Sequence, residues 1–118
     1  KTYNDQYGHD LGDVGLKMVA RTLSRDLRSF DFIGRWGGEE FIALLPKIQP
    51  IQLEETANRL RMLVSTSSAD VSKGKLTVTV SIGATHRTSK DTVQSIIQRA
   101  DRLMYKSKEN GKNRVSVG

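Results

Sequence analysis

A chain of 118 residues, 36% of them hydrophobic, suffices for one compact core and is too short for two. It contains no cysteine, which excludes disulfide stapling, thiolate catalysis and cysteine-based zinc sites, and no apolar run approaches the roughly 20 residues of a membrane span. Nineteen Lys and Arg against 13 Asp and Glu leave a formal charge of +6, a balance that suits an anionic partner such as nucleic acid, acidic lipid or a polyphosphate ligand.

Residues 1–12 are polar and glycine-punctuated, and read as a loop running into a helix start. From Asp13 onward, Leu16, Val19, Ala20, Leu23 and Leu27 recur at steps of three and four, which predicts an amphipathic helix with Asp10 or Asp13 as its cap. A short extended segment, Phe30 to Arg35, meets Gly37-Gly38, and Phe41 to Leu45 follows as an almost wholly apolar strand. This predicts a β-hairpin about a tight glycine turn, with the second strand covered on both faces. Leu53, Ala57, Leu60 and Val64 predict a second helix, and the Ser-, Thr-, Lys- and Gly-rich residues 65–75 a surface loop. Leu76, Val78, Val80, Ile82 and Ala84 alternate with small polar residues and glycine, the pattern of a single half-buried strand. A last helix is expected from about Thr92, with Val93, Ile96, Ile97, Ala100, Leu103 and Met104 facing inward, ended by Gly111 and followed by a short strand over 114–117. Hairpins mixed with crossover helices predict an α+β domain over residues 1–118, with a central, mainly antiparallel sheet flanked by helices. A first strand is expected just before Lys1, so the domain reads as N-terminally truncated.

Two carboxylates, Glu39 and Glu40, follow the glycine pair at a bend beside the sheet edge. A carboxylate there can ligate Mg²⁺, and glycines leave room for a ligand to approach the backbone. Adjacent residues of an extended chain point to opposite sides, so Glu39 and Glu40 are not expected to share one role. Taken alone, composition favours a solvated acidic turn over a metal site. Lys108 and Lys112 sit four apart where the last helix stops, within a segment 90–114 that holds seven basic side chains against three acidic ones. They could hold nucleotide phosphates, although cations commonly end helices because they complement the dipole. Asn4 and Asp13 flank the first helix; a carboxylate there can accept from a guanine edge or cap the helix. Arg28 and Asp31, three apart, read by default as a surface ion pair. Neither a P-loop nor a dinucleotide fingerprint is present, and His9 and His86 have no zinc-ligand spacing.

Four ordered blocks together resemble the GGDEF domain, the catalytic domain of diguanylate cyclases, in its GGEEF form. They are Lys1-x-x-Asn4-Asp5-x-x-Gly8-His9-x-x-Gly12-Asp13-x-x-Leu16, Arg28-x-x-Asp31-x-x-x-Arg35-Trp36-Gly37-Gly38-Glu39-Glu40-Phe41, Val80-Ser81-Ile82-Gly83-Ala84, and Ala100-Asp101-x-x-Met104-Tyr105-x-x-Lys108-x-x-Gly111-Lys112-Asn113. The resemblance implies the palm-like (ferredoxin-like) fold of nucleotidyl cyclases and polymerases, and condensation of two GTP into cyclic di-GMP and two pyrophosphates. It implies guanine recognition by Asn4 and Asp13 with Leu16 walling the base, room for substrate at Gly37 and Gly38, and Glu39 as a ligand of Mg²⁺ or Mn²⁺. Glu40 would lie near the reacting ribose, Lys108 and Lys112 would hold the β- and γ-phosphates, and Arg28 with Asp31 would bind the inhibitory product. Each domain holds one GTP, so a homodimer is required, and a sensory or receiver domain is expected upstream. The domain is expected in the cytoplasm, with a parent free to be membrane-anchored. A second metal-binding carboxylate is implied on the strand before Lys1, and a polypeptide without it is expected to be inactive on its own.

Two other classes compete. A GGDEF-like module that binds GTP or cyclic di-GMP without turnover is the alternative; the intact acidic pair argues against it. A small nucleic-acid-binding domain would account for the charge, but seven aromatics with no RNP-like pattern and no helix-turn-helix rank it last, and no nucleic-acid partner is expected.

Overall fold

The helical spacing that begins near Leu16 is realised as α1, His9–Asp26, in a computed structural model that describes residues 9–118. Lys1, Asn4, Asp5 and Gly8 lie outside the described residues. The helix starts earlier than its apolar stripe suggests. Asp10 and Asp13 therefore lie inside it rather than at its cap, and Asp13 is past the first turn, where no orphan N–H remains for it to satisfy. Met18, Val19 and Leu23 are buried, while Leu16, Ala20 and Leu27 are half-buried.

The chain divides into two compact units, Lys1–Lys47 with Thr66–Val78, and Ile48–Ser65 with Thr79–Gly118. In the first, β1 (Phe32–Arg35) pairs antiparallel with β2 (Phe41–Leu44), Phe32 opposite Leu44 and Arg35 opposite Phe41. The connection is not a tight two-residue turn: it is the five-residue loop 36–40, closed by the Trp36 N–H donating to the Glu40 carbonyl at 2.8 Å. Nor is β2 covered on both faces, since Leu44 is 57% and its partner Phe32 65% exposed. An apolar run shows that a strand is suited to burial; it does not supply the second cover. Residues 69–76 form a second hairpin where a loop was expected. In it β3 (Ala69–Val71) pairs antiparallel with β4 (Gly74–Leu76), and Asp70 faces Lys75 at 2.7 Å. The composition is that of a loop, and the apolar alternation of its first strand, Ala69 and Val71 about exposed Asp70, spans only three residues, too short to stand out.

The alternating segment 76–84 is divided. Leu76 ends β4 and residues 82–84 form β5 (Ile82–Ala84), while 77–81 take part in no ladder among the described residues. Burial still alternates, with Val78 and Val80 half-buried between exposed Thr77 and Thr79. Period two thus predicts which way side chains point, not whether the backbone has a partner.

The second unit holds α2 (Pro50–Thr66) up to Ser65, and its buried row is the expected Leu53, Ala57, Leu60 and Val64. It also holds a β-α-β crossover. β5 pairs parallel with β6 (Val115–Val117), joined through α3 (Val93–Glu109). Parallel neighbours need such a connection, because no tight turn can return the chain in the same direction. Gly83 lets α3 approach β5 closely: a Cβ there would overlap the backbone of Ala100 and Met104. Ser107, fully buried, donates to the Ile82 carbonyl at 2.9 Å and lies 2.8 Å from the Ser116 hydroxyl, tying the helix to both strands. Thr92 caps α3 in a reciprocal box with Ser95. Ile96, Ile97, Ala100, Leu103 and Met104 are half-buried as expected, but Val93, at the first helical position, is 75% exposed. Among the described residues two of the three strand pairs are antiparallel, and the α+β class with mainly antiparallel pairing and flanking helices holds.

Candidate functional site

The loop 36–40 is shaped by hydrogen bonds on both sides. Trp36 and Gly37 donate their N–H groups to the Glu40 carbonyl, at 2.8 and 3.4 Å. The Arg35 side chain folds back over the tip, and its Nε donates to the carbonyls of Gly37 at 3.3 Å and Gly38 at 3.0 Å, with Nη2 also on Gly38. Neither glycine takes a positive φ, and a Cβ added to either would meet nothing. The fold therefore does not demand glycine at these positions, and the space beside both is open. Glu39 is exposed and Glu40 half-buried, so the two carboxylates occupy different surroundings, as their alternation requires.

Beside this hairpin lies a cleft of about 310 Å³ lined by Asp13, Leu16 and Lys17 of α1 and by Ile33, Arg35 and Phe41 of the hairpin, among others. Two residues singled out from sequence, Asp13 and Leu16, are thus brought onto one wall opposite the strands that carry the glycine loop. With its capping explanation removed, Asp13 is an exposed carboxylate at the edge of a partly apolar cleft, suited to accept paired N–H groups from a flat heterocycle. Asn4 lies outside the described residues.

Arg28 and Asp31 form the local pair that their spacing suggested. Arg28 Nη2 lies 2.8 Å from Asp31 Oδ1, the Arg28 N–H donates to Oδ2 at 2.8 Å, and Nη2 also donates to the Pro46 carbonyl at 3.1 Å. The Asp31 side chain is only 3% exposed, the Arg28 side chain 40%. The guanidinium hydrogen bonds hold the Asp31 carboxyl below its usual range. Asp31 thus orients the arginine, and the arginine carries the solvent-facing charge.

Lys108 and Lys112 belong to the second unit. Lys108 stands in the last turn of α3, its ammonium 5.2 Å from the Tyr105 ring centre. The helix then closes in a paired C-terminal motif, with Lys112 N–H on the Ser107 carbonyl at 3.0 Å and Gly111 N–H on that of Lys108 at 3.4 Å. Gly111 takes φ 124°, and Lys112 and Asn113 follow at 64° and 49°. A non-glycine residue held at positive φ stores strain, here at Lys112, one of the two lysines singled out from the sequence. Arg114 Nε donates to the Lys112 carbonyl at 3.1 Å and helps to fix it.

A further network in this unit escaped the sequence reading. Arg99 pairs with Asp91 at 2.7 Å and donates to Thr85 Oγ1 and the His86 carbonyl, while Asp91 also accepts from Thr88 and Ser95. Hydrogen bonds from Arg99, then from Thr88 and Ser95, hold the Asp91 carboxyl well below the usual carboxylate range. Its contribution to stability is complete above the unfolded value of about 4 and declines as pH falls toward the lowered folded value. Asp91→Asn is expected to remove that part of the acid dependence. An acid titration followed by circular dichroism should show a flatter decline below pH ~4 than in the wild type; superimposable slopes would deny the pair this role.

Among the described residues no group of three or more His, Cys, Asp or Glu side chains is placed to hold a metal ion. Glu39 offers a hard oxygen donor, which suits Mg²⁺ or Mn²⁺, ions commonly bound through one or two carboxylates plus substrate phosphates. Among the described residues, no helix is long and apolar enough to cross a membrane.

The model of the family described as "Diguanylate cyclase, GGDEF domain" matches residues 1–114. The chain belongs to the GGDEF family. It is 38% identical to diguanylate cyclase A of Treponema denticola over 118 residues, 99% of this chain and 32% of that protein. It is 41% identical to diguanylate cyclase DgcM of Escherichia coli over 116 residues, 98% of this chain and 27% of that protein. Among solved structures it is similar to diguanylate cyclase SiaD from Pseudomonas aeruginosa in complex with its activator SiaC, with a TM-score of 0.94, 35% identity, and coverage of 99% of this chain and 45% of that one. It is also similar to the GGDEF domain of DgcB from Caulobacter crescentus in complex with c-di-GMP, with a TM-score of 0.91, 31% identity, and coverage of 98% and 70%. The chain spans about a third of the length of these two curated relatives, or less. Of this GGDEF domain's implied site residues, the first unit carries Asp13, Leu16, Arg28, Asp31 and the 37–40 tip, and the second carries Lys108 and Lys112. Sequence reasoning missed the grip of Arg35 on the tip and the cleft-lining of Ile33 and Phe41. An arginine directly before a Trp-Gly-Gly turn, with carbonyls within its reach, was the available signal for the first.

Proposed function

We propose that this GGDEF domain is one half of a diguanylate cyclase site, binding one GTP and condensing it with a second held by another copy. The observation that carries the proposal is the cleft in which Asp13 and Leu16 of α1 face the strands of the signature hairpin. In this reading Asp13, with Asn4, accepts the guanine N1–H and N2–H, and Leu16 walls the base. The open flank of Gly37 and Gly38 admits the sugar and phosphates. Lys108 and Lys112 hold the β- and γ-phosphates as compact point charges.

Glu39 would hold the Mg²⁺ or Mn²⁺ ion together with phosphate oxygens and a carboxylate from outside the described residues. When bound, such an ion neutralises charge on the transferring phosphoryl group and polarises the oxygens around it. Glu40 lies by the ribose and helps to draw the proton from its 3′-hydroxyl. The 3′-oxygen of one GTP attacks the α-phosphorus of the other, a 3′–5′ phosphodiester forms, the α–β bond breaks and pyrophosphate leaves. Repetition in the opposite sense closes the ring, giving two pyrophosphates per cyclic di-GMP. Positioning and charge neutralisation supply most of what phosphoryl transfer needs.

The test is incubation of the full parent protein with GTP and Mg²⁺, followed by chromatography of the nucleotides. Cyclic di-GMP that vanishes on chelation of the metal supports the proposal. GTP bound but left intact at high protein concentration would instead make the domain a binding module. Arg28, held by Asp31 with its charge toward solvent, is assigned to product binding. Arg28→Ala is expected to raise the cyclic di-GMP concentration that halves the rate by roughly tenfold, the loss of one or two charge-assisted hydrogen bonds. An inhibition curve identical to wild type would show the Arg28–Asp31 site to be idle.

A further inference from the structure

The turn that carries Lys112 is strained, and one of its supports comes from another helix. Gly111, Lys112 and Asn113 take φ of 124°, 64° and 49° in succession, and the last two are not glycine. Such a conformation persists only where its surroundings over-determine it. Locally, Lys112 donates its N–H to the Ser107 carbonyl at 3.0 Å, and its own carbonyl accepts from Arg114 Nε at 3.1 Å. Neither of these contacts touches Asn113. That residue is held from α2: Arg61 Nη1 donates to Asn113 Oδ1 at 3.0 Å and to its carbonyl at 3.5 Å. The guanidinium is itself aimed, because its Nε donates at 2.9 Å to Oδ1 of Asn58, three residues earlier on the same helix face. Asn58, Arg61 and Asn113 thus form a strut inside the second unit, and its two ends lie far apart in sequence. The strut stands at the surface, lining a cleft of about 590 Å³ with Ile51, Glu54 and Arg114. Removing the Arg61 head group therefore opens no buried hole.

We infer that Arg61 is a positioning residue for phosphate binding: by holding Asn113 it keeps the 111–113 turn left-handed, and so keeps Lys112 aimed at the β- and γ-phosphates of the bound nucleoside triphosphate. The inference rests on the GTP reading, in which Lys112 holds those phosphates, and deepens it. The backbone dihedral at Lys112 sets the direction in which its Cβ leaves the chain. A turn released to negative φ would re-aim the side chain and lose the binding geometry. Arg61 touches no phosphate; it acts through Asn113 and Lys112 alone. Its effect on binding therefore exists only while Lys112 is there to be aimed.

The experiment is a double-mutant cycle in the full parent protein: wild type, Arg61→Met, Lys112→Met and the two together, with Asn113→Ala alongside. Methionine keeps an unbranched apolar stem and removes the donors. Calorimetry reads the affinity for 3′-deoxy-GTP with Mg²⁺, a nucleotide that lacks the attacking hydroxyl and so binds without turnover. Arg61→Met and Asn113→Ala should each weaken binding roughly fivefold, the scale of one lost hydrogen bond. Lys112→Met should cost roughly tenfold or more, as a charged contact is lost outright. Adding Arg61→Met to Lys112→Met should then cost no more than about twofold further. A merely structural arginine would weaken binding by the same factor with or without the lysine. Three results would overturn the inference: wild-type affinity in Arg61→Met, wild-type affinity in Asn113→Ala, or equal losses from Arg61→Met in the two backgrounds. Wild-type affinity in Lys112→Met would take that lysine out of the phosphate site, and this inference with it. A wild-type protein that binds no nucleotide would bring down the GTP reading itself, and the wild type alone would report that.

Discussion

Glu39→Gln is expected to lower cyclic di-GMP formation by at least about a hundredfold while leaving the fold intact. Glutamine keeps the size and reach of the side chain and removes only the charge. An uncharged amide is a poor ligand for a hard divalent cation, and metal stabilisation of a transferring phosphoryl group is worth several kcal/mol, with each ~1.4 kcal/mol a factor of ten in rate. Glu39 is exposed at the tip of the 36–40 loop, where substitutions typically change stability by about 0.5 kcal/mol or less. The two readouts therefore separate. Steady-state rates across a Mg²⁺ titration, set beside urea unfolding, should show lost turnover at unchanged stability. An unchanged rate would remove Glu39 from the metal site. A collapse of both would make it structural.

The largest stability effect belongs to Gly83, in the second unit. Its φ is not positive, so alanine is acceptable to the backbone there, and the objection is entirely steric. An added Cβ would overlap the Ala100 carbonyl and the Met104 amide. Both are backbone atoms within a helix and cannot swing aside as the end of a flexible side chain would. Overpacking of this kind costs about 1–3 kcal/mol, and the rigidity of the neighbours places Gly83→Ala at the upper end. Urea unfolding should show a lower midpoint with an unchanged slope. A midpoint equal to wild type would contradict the close approach of α3 to β5.

Much of this fold is written in local pattern. The buried row of α2 was legible because four apolar residues keep helical spacing on an otherwise polar helix, and the end of α3 because Gly111 can take the positive φ that its closing motif requires. Pairing was less legible. The alternation from Leu76 to Ala84 reads as one strand, yet its two ends belong to different ladders, because ladder membership depends on partners that one segment cannot disclose. The hairpin at 69–76 was hidden by loop-like composition, and Ser107 by being a small polar residue in a fully buried place. In the site, Asp13 and Leu16 were legible as chemistry, but the cleft that joins them to Phe41 is a tertiary fact. The grip of Arg35 on the tip depends on a side chain folding back on its own loop, which spacing permits and does not dictate.

The central claim is that this domain supplies half of a two-domain condensing site. The most direct measurement follows pyrophosphate and cyclic di-GMP together, at saturating GTP and Mg²⁺, over a series of parent-protein concentrations below the dimerisation constant. The account predicts two pyrophosphates per cyclic di-GMP and an initial rate that rises with the square of protein concentration, since each monomer brings one substrate to the encounter. A rate linear in protein across that whole range, or pyrophosphate released without cyclic di-GMP, would contradict it.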